Sequence, residues 1–373
     1  RMVEMTLLLA ILMPLSIRWL SRRWHAAIRL HQFINVIYFV DIVRRHSHPH
    51  SWILNTPMFV LYVIDKSIYS NYWRRNNCPP VKKITLGSDF MILFWKSPFG
   101  PTNTVGPDYS LRLENSSFLE SKHVFTCFEN RSGEGFVGGG DTTSNLGDDN
   151  FEWTVGSVIR VFNNPRVPQL GSLDPISHTK RIYEAEESPN LLITGPRQGE
   201  MSEVLRHTLL SSSSSSEGKK KIVIIGGGSA INFIIDTIQW CSWNKTNCFR
   251  DIEILYTTRN IHLFVWVKRV LSLLIPSCHN AGIIFNCTLA FTGEVFGHDE
   301  EDIEDMDVFK DNPTKQDGVY ENMNLLLSRI DFAQLITPKS IVFCQGSAAL
   351  KSVVKHICDG EDATFYGGRG GGQ

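Results

Sequence analysis

The chain has 373 residues, which is too long for one small domain, because a domain usually spans about 100–200 residues. A hydrophobic content of 42% with 20% charged residues excludes a largely disordered chain. The 37 basic and 38 acidic residues leave a net charge of -1, so no basic surplus favours nucleic-acid binding. The eight scattered cysteines contain no CxxC pair and favour neither a disulfide scaffold nor a zinc module. Because the chain begins with Arg1 rather than Met, we expect its N-terminus to be incomplete.

Residues 1–76 are predicted to form part of a helical membrane domain. Apolar residues dominate the segments 5–17, 26–43 and 52–69. Each segment is shorter or more interrupted than the roughly 20 apolar residues of an ideal span. Arginines at 18–23 precede the second segment, and arginines at 74–75 follow the third. Because basic residues prefer the cytoplasmic side of a membrane, this arrangement favours two crossings that return the chain to the cytoplasmic side. Arg44 and Arg45 oppose this orientation, and buried helices of a soluble domain are the alternative.

Two histidines of this region are candidate metal ligands. His31 lies inside an apolar segment, where an imidazole is costly and usually functional, and haem iron is its most obvious partner. His46 belongs to a connecting loop with alternate histidines, a pattern that suits a metal ion, although a solvated loop with chance histidines is the alternative. Along a helix axis His31 and His46 would be about 22 Å apart, a distance that suits two stacked haems.

From residue 80 to about 200 the sequence has short alternating runs separated by turn-rich stretches. The runs are 84–86, 90–95, 109–113, 124–128, 158–162 and 191–194. This pattern is typical of an antiparallel barrel or sandwich. The polar stretch 133–150 is predicted to be an inserted loop.

Residues 218–373 are predicted to form an α/β domain. A serine run at 211–216 precedes it as a flexible stretch. Strands are predicted at 222–225, 252–256, 283–285 and 341–344, and helices at 230–240, 263–273 and 348–357. Strands that alternate with helices imply a parallel sheet. An acidic run inside an insertion at about 294–322 is predicted to be a solvated loop.

A glycine turn follows the first strand of the α/β domain. Gly226, Gly227, Gly228 and Ser229 stand between a strand and a helix, an arrangement that lets backbone N–H groups approach a phosphate. An ordinary tight turn is the alternative, since the full G-x-G-x-x-G pattern is absent. Arg259 ends the next strand, where an arginine can pair with the 2′-phosphate of NADP, and a plain surface arginine is the alternative.

Six short motifs occur in a fixed order along the chain. They are His123-Val124-Phe125-Thr126, Gly195-Pro196-Arg197-Gln198-Gly199, Gly226-Gly227-Gly228-Ser229, Tyr256-Thr257-Thr258-Arg259, Ser328-Arg329-Ile330-Asp331 and Cys344-Gln345-Gly346. In this order they resemble the ferric reductase and NADPH oxidase family, whose dehydrogenase half is similar to ferredoxin–NADP reductase. The family's versions include His-Pro-Phe-Thr, Gly-Pro-Tyr-Gly, Gly-Arg-Pro-Asp and Cys-Gly-Pro. The resemblance covers almost the whole chain, with the early transmembrane helices missing.

The resemblance implies a multidomain fold. A partial α-helical membrane segment at 1–76 precedes an antiparallel β-barrel FAD-binding domain at 80–200 and a Rossmann-like NADP-binding domain at 218–373. FAD, NADPH and haem b are the implied cofactors. Cys344 would lie near the nicotinamide as the catalytic residue. The residues implied for cofactor binding outside the glycine turn are His123, Phe125, Thr126, Arg160, Gly195, Pro196, Arg259, Arg329 and Gly346.

These features predict a membrane flavoprotein oxidoreductase that moves electrons from NADPH through FAD to ferric iron or another metal chelate. Its partners would be the lipid bilayer and a small electron acceptor, either a ferric chelate or oxygen. The expected location is a membrane crossed several times, with cytoplasmic dehydrogenase domains. The alternatives are a superoxide-generating NADPH oxidase, a relative that has lost haem, and a non-catalytic membrane scaffold with a decayed flavin domain.

Overall fold

The computed structural model describes residues 79–97, 102–113, 123–131, 154–162, 177–185, 189–211, 221–244, 251–280, 283–293 and 323–368. The predicted membrane domain with His31 and His46, the loop at 133–150 and the insertion at 294–322 lie outside the described residues. Within the described ranges, no helix has both the length and the apolar character that a bilayer crossing requires.

The chain divides into two compact units. The first comprises Arg1–Cys78, Glu114–Lys122 and Phe162–Arg181, and the second comprises Pro79–Leu113, His123–Val161 and Ile182–Gln373. In the first unit, Phe162 donates its backbone N–H to the hydroxyl of Thr179 at 3.0 Å. The strands of both predicted cofactor domains belong to the second unit, which carries the candidate site.

The first strands of the second unit are antiparallel. They are β1 (Val81–Leu86), β2 (Phe90–Trp95), β3 (Asp108–Leu113), β4 (His123–Thr126), β5 (Phe128–Glu129), β6 (Val155–Arg160) and β7 (Leu191–Arg197). They form a four-stranded sheet, β1-β2-β6-β5, and a three-stranded sheet, β4-β3-β7. Alternate side chains enter a shared core that contains Met91, Tyr109 and Phe125. The predicted antiparallel architecture is therefore confirmed, as two sheets in the described residues.

The remaining strands form one parallel sheet. They are β8 (Ile222–Gly227), β9 (Asp251–Thr258), β10 (Ile284–Phe291), β11 (Met323–Leu326), β12 (Ile341–Gln345) and β13 (Thr364–Gly367). Their order is β11-β10-β9-β8-β12-β13, and the ladders are parallel. The predicted parallel α/β architecture is confirmed. The chain runs outward from β8 to β11 and then returns to β12 on the other side of β8.

Helices connect these strands. They are α1 (His178–Glu184), α2 (Glu200–Ser211), α3 (Ile231–Trp243), α4 (Ile261–Asn280), α5 (Phe332–Leu335) and α6 (Ala348–Gly360). Side chains cap two of them where the sequence changes from strand to helix. Asn260 accepts the Leu263 N–H at 2.8 Å before α4, and the Ser347 hydroxyl accepts the Leu350 N–H at 3.2 Å before α6.

Helix α3 is buried on every side over residues 231–241. Its apolar side chains share one core with Ile224 of the parallel sheet and with Phe94 and Phe128 of the antiparallel strands. A helix that is buried all round normally has apolar residues on all faces. Asn232 and Asp236 break that rule, so each must find hydrogen-bond partners inside the protein.

Gly156 on β6 lies against an aromatic ring. A Cβ at this position would overlap the Phe128 ring and lie 3.1 Å from Cδ1 of Phe94. We expect Gly156→Ala to lower the free energy of unfolding by about 1–3 kcal/mol through overpacking, measured by urea denaturation. Gly360→Ala is the matched control, because a Cβ there meets nothing within 4 Å. Equal stability of both variants would contradict the described packing of β6.

Candidate functional site

The candidate site is the edge of the parallel sheet where its strands end, here called the carboxyl edge. β8 ends in the glycine turn, β9 in Thr258 and Arg259, and β12 in Gln345 and Gly346. β9 and β12 lie on opposite sides of β8, and the chain reaches them by connections that run in opposite directions. Such a switch point opens a crevice outside the strand ends, and ligands of α/β sheets bind there.

The glycine turn leads directly into α3. Gly226 and Gly227 end β8, and Gly228 and Ser229 begin a short 3₁₀ turn that precedes Ile231. Gly228 has φ +59, a left-handed conformation that favours glycine. The Tyr256 hydroxyl donates to the Gly228 carbonyl at 2.9 Å and fixes the turn. Among the described residues the 3₁₀ turn has no side-chain cap, and the Ile231 N–H at the start of α3 donates to the Gly228 and Ser229 carbonyls. The N–H groups of the glycine turn are therefore the ones that suit an anion.

The turns after β8 and β12 approach each other closely. A Cβ at Gly346 would lie 3.4 Å from the Gly227 nitrogen and 2.9 Å from Cδ2 of Leu350. A Cβ at Gly227 would lie 3.0 Å from the same Leu350 atom. A Cβ at either position would press on the end of the Leu350 side chain, which can shift. Gly346 also has φ +155, a backbone value that favours glycine without any ligand.

Arg259 stands at the same edge as the glycine turn. Gly227 pairs with Thr257 across the β8–β9 ladder. Arg259 lies two residues beyond Thr257 and is therefore close to the glycine turn. Its side chain is exposed, whereas Thr258 beside it is buried. A solvent-facing guanidinium one strand away from the glycine turn suits contact with a phosphate of a ligand at this edge.

Arg329 lies at the same edge but far from the glycine turn. It follows β11, which is three strands from β8 in the sheet order, or roughly 14 Å at the usual strand spacing. Its exposed side chain lines a surface pocket of about 580 Å³ with Asn324, Asp331 and Gln334. The structure therefore does not bring Arg329 to the glycine turn or to Arg259.

Cys344, the predicted catalytic residue, lies in the protein core. Its exposure is 0%, and it packs with Val223, Ile225 and Val342 on one face of the parallel sheet. Burial raises the pKa of its thiol to about 12, although Lys351 lowers it somewhat. Strand alternation places Cys344 on the buried face of β12, while the neighbouring residue Gln345 points to the other face. The catalytic role of Cys344 stays a prediction.

The raised pKa makes the Cys344 thiol unreactive at ordinary pH. The thiol stays neutral below its pKa of about 12, so at about pH 8 roughly one molecule in 10,000 carries the reactive thiolate. We expect iodoacetamide to leave Cys344 unmodified in the folded chain and to modify it after unfolding in urea. Peptide mass spectrometry measures both states. Modification in the folded chain at the rate of a free thiol would contradict this burial.

Strand β4 carries the predicted flavin motif. Phe125 is 9% exposed and packs inside the antiparallel core, so its ring is not free to lie along a cofactor. The flanking residues Val124 and Thr126 face outward, and Val124 is 42% exposed. His123 begins the strand and is half-buried. The pleat turns Phe125 away from the surface that Thr126 occupies, and its role in flavin binding stays a prediction.

The remaining predicted residues lie on neighbouring strands. Arg160 ends β6 and is exposed. Gly195 and Pro196 belong to β7, where a Cβ at Gly195 would lie 2.7 Å from the Tyr109 ring. A Cβ at Gly199, two residues after β7, would lie 3.3 Å from Oδ2 of Asp108. The turn after β7 is thus beside Asp108, and packing on β3 accounts for Gly195.

A chain of hydrogen bonds links β12 to this turn through Thr126. The Gln345 amide donates to the Thr126 hydroxyl at 3.1 Å, and that hydroxyl donates to Asp108 at 2.9 Å. Burial raises the pKa of Asp108, while the Thr126 hydrogen bond and the charge of Arg197 lower it. The structure therefore brings Thr126 to the end of β12, but through Gln345 rather than through Cys344.

Two buried polar residues of α3, which the sequence did not single out, bind the antiparallel strands. Asn232 accepts the Val158 N–H at 2.7 Å and donates to the carbonyls of Thr126 and Val158, each at 2.9 Å. Asp236 lies one helical turn later, on the same face of α3. Asn232 therefore fixes the start of α3, beside the glycine turn, against β4 and β6.

Asp236 is the centre of a buried charged cluster. One carboxylate oxygen accepts the Gly106 N–H at 2.6 Å, and the other accepts the Glu129 N–H at 2.7 Å and Arg131 at 2.8 Å. Arg131 also contacts the Glu129 carboxylate at 3.2 Å. Burial raises the pKa of Glu129, and the neighbouring Arg131 charge lowers it. This cluster and Asn232 hold α3 against the antiparallel strands at two successive turns.

The residues of the site fit a pyridine nucleotide. The glycine turn and the exposed Arg259 supply donors for phosphates on adjacent strands. A flavin ring against Thr126 does not fit the described conformation. The Thr126 hydroxyl is engaged by Gln345 and Asp108, and its carbonyl is engaged by Asn232. Among the described residues no cluster of three metal-binding side chains occurs.

Comparison with known proteins gives similar folds at low similarity. No protein-family model matches the chain, and no curated protein matches it. Full-length CYP116B46 from Tepidiphilus thermophilus is 11% identical with a TM-score of 0.43, over 78% of this chain and 28% of that one. Flavohemoglobin from Malassezia yamatoensis with bound FAD and heme is 13% identical with a TM-score of 0.47, over 92% of this chain and 74% of that one.

A third structure is the flavohem-like FAD/NAD binding domain of nitric oxide dioxygenase from Vibrio cholerae O1 biovar El Tor. It is 10% identical with a TM-score of 0.41, over 78% of this chain and 99% of that domain. The chain spans less than a third of the first protein's length. Similarity at these levels assigns no function, so a function for this chain has to be argued from its own residues.

Proposed function

We propose that this chain is an oxidoreductase that takes electrons from NADPH and passes them through a flavin to a small acceptor. The observation that carries the proposal is the pairing of β8 and β9. The ladder aligns Gly227 with Thr257, so the glycine turn and the exposed Arg259 stand at adjacent strand ends. That arrangement suits the pyrophosphate and the 2′-phosphate of one NADPH molecule.

The chain's own residues bind and orient the nucleotide. N–H groups of the turn from Gly226 to Ser229 approach the pyrophosphate, and Arg259 pairs with the 2′-phosphate. The nicotinamide would then lie at the carboxyl edge, outside the ends of β8 and β12. Hydride chemistry belongs to the cofactors, and the protein supplies position and electrostatics.

The antiparallel strands supply the second half of the proposed site. The Thr126 hydroxyl and carbonyl are already engaged, so the flavin is proposed to be held by the antiparallel strands away from Thr126. Arg160, exposed at the end of β6, is the proposed partner of the FAD pyrophosphate. Asn232 and Asp236 support this arrangement, because they fix α3 to the antiparallel strands.

Three further parts of the proposal rest on the family resemblance of the sequence: the electron acceptor, the membrane location and the binding of haem. We propose a ferric or other metal chelate as acceptor, a location in a membrane with the dehydrogenase part on its cytoplasmic side, and haem b held by His31 and His46. The apolar segments of 1–76 and the two histidines support these points. Oxygen is the second candidate acceptor, and a non-catalytic scaffold is the alternative from another class.

The acceptor is tested with the chain purified in detergent and supplied with FAD and NADPH. Ferric citrate is added in one arm, and air alone in the other. Ferrous iron formed in step with NADPH oxidation supports the reductase. Superoxide formed in air without a preference for iron favours the oxidase. Lack of NADPH oxidation in either arm, with no bound FAD, would leave the scaffold as the better description.

Haem is tested separately by spectroscopy. We compare the reduced-minus-oxidised absorbance spectrum of the chain with that of His31→Ala. A haem band that disappears in the variant supports His31 as a ligand. A band of equal intensity in both proteins removes His31 as a ligand, and no band in either favours a relative without haem.

A further inference from the structure

The buried cluster around Asp236 contains two acidic side chains and one basic side chain. The side chains of Asp236, Glu129 and Arg131 are each at most 3% exposed. Among the described residues, Arg131 is the only cation that contacts either carboxylate. If both carboxylates were ionised, one negative charge would stay uncompensated inside the protein. Such a charge is costly, and a carboxyl group in that position normally takes up a proton.

The hydrogen bonds of the cluster show which oxygen can take this proton. Oε2 of Glu129 accepts the N–H and the hydroxyl of Thr102 at 2.7 and 2.8 Å, and it accepts Arg131 at 3.2 Å. Oε1 has one hydrogen-bond partner among the described residues, the Tyr109 hydroxyl at 3.1 Å. A hydroxyl can also accept a hydrogen bond, so a proton on Oε1 has an acceptor. Each oxygen of Asp236 faces only N–H donors, and a proton there would have none.

The other titratable groups of the described residues that face Glu129 keep their protons. Burial, together with the charge of Glu129, raises the pKa of the Tyr109 hydroxyl. Burial also raises the pKa of the Cys127 thiol well above its usual value. For Glu129 itself, burial raises the pKa, the Arg131 charge lowers it and the Asp236 charge raises it. Glu129 is therefore the member of the cluster whose charge responds to pH.

We propose that Glu129 is a buried proton-binding site that strengthens the contact between α3 and the antiparallel strands when it is occupied. The proton lies on Oε1 and is donated to the Tyr109 hydroxyl, while Asp236 and Arg131 remain an ion pair. Because the glycine turn leads directly into α3, the attachment of that turn to the antiparallel strands depends on pH. The proposal rests on the buried cluster and requires neither nucleotide nor flavin binding.

The direction of the pH effect follows from the raised pKa of Glu129. A group whose pKa is raised on folding contributes stability that is complete below its unfolded pKa, which is about 4.3 for Glu. That contribution is lost as the pH rises through the folded pKa. Acid should therefore strengthen the contact, and alkali should weaken it. Within this interval, unfolding releases the proton to the solvent.

The test compares urea denaturation of the full chain and of Glu129→Gln from about pH 4 to about pH 8. Glutamine reproduces the protonated group, because its carbonyl oxygen can accept the Thr102 and Arg131 donors and its NH₂ group can donate to Tyr109. We expect the urea midpoint of the variant, relative to wild type, to rise with pH and then to level off. At about pH 6 its unfolding should release up to about one proton fewer, measured with a pH indicator in weakly buffered solution.

Glu200→Gln is the matched control, since Glu200 is exposed on α2, and it should follow the wild type. The proton site is supported if Glu129→Gln is at least as stable as wild type at about pH 8, with a midpoint difference that has grown from about pH 4 and a smaller proton release. A constant difference or an equal proton release overturns it. A variant that is less stable at about pH 8, or that does not fold, also overturns it, because Glu129 would then act through its negative charge. These outcomes are independent of nucleotide and flavin binding.

Discussion

Replacing Asp236 by asparagine should lower the free energy of unfolding by about 3–5 kcal/mol, because the change leaves Arg131 buried without its closest countercharge. The geometry leaves the amide no good orientation. One carboxylate oxygen accepts the Gly106 N–H and the other accepts the Glu129 N–H. Whichever position the new NH₂ group takes, it faces a backbone donor and an arginine N–H.

The loss is measured by urea denaturation of the chain, followed by tryptophan fluorescence. Asp359→Asn is the matched control, since Asp359 is exposed on α6, and surface substitutions usually change stability by less than about 0.5 kcal/mol. If Asp236→Asn is as stable as this control, the cluster does not hold α3 to the antiparallel strands as described.

Arg259→Ala should raise the KM for NADPH by about ten- to a hundredfold and leave the KM for NADH nearly unchanged. A charge-assisted arginine–phosphate contact is worth roughly 1.5–3 kcal/mol, and about 1.4 kcal/mol corresponds to tenfold. NADH lacks the 2′-phosphate, so it loses nothing when the guanidinium is removed. The exposed position of Arg259 at the end of β9 makes a fold defect a poor explanation of such a change.

The two nucleotides are compared in the ferric citrate assay over a range of concentrations. Arg269→Ala, another exposed arginine on α4, is the matched control and should leave both constants unchanged. Equal increases for NADPH and NADH in Arg259→Ala would show that the residue does not read the 2′-phosphate. The proposal that the chain binds a pyridine nucleotide would then rest on the glycine turn alone, and no residue would indicate a preference for NADPH over NADH.

Local sequence patterns predicted most of the regular structure around the site. The glycine turn was expected after a strand at 222–225, and β8 ends at Gly227. The predicted helices at 230–240, 263–273 and 348–357 correspond to α3, α4 and α6. Hydrophobic periodicity determines such elements locally, so one sequence suffices to find them. Strands β11 and β13 were not predicted, because each has four residues and lies beside an acidic insertion or a glycine-rich end.

The polar contacts of the site could not be predicted in the same way. Asp236 binds residues more than a hundred positions away, and Gln345 binds Thr126 across 219 positions. No local pattern encodes such pairings. A signal for Asn232 and Asp236 existed, since both are polar residues in a helix that is mainly apolar and also contains Thr237 and Gln239. Cys344 and Phe125 show another limit of local patterns, because such a pattern finds a strand but does not fix which face of it a residue occupies.

The central claim is that NADPH reduces a flavin held by this chain. It is tested most directly by anaerobic addition of NADPH to the purified chain loaded with FAD, while the blue absorbance band of oxidised flavin is recorded. The account predicts that the band bleaches with one equivalent of NADPH and that NADH bleaches it more slowly at equal concentration. A chain that holds FAD but keeps the band unchanged after NADPH is added would contradict the account.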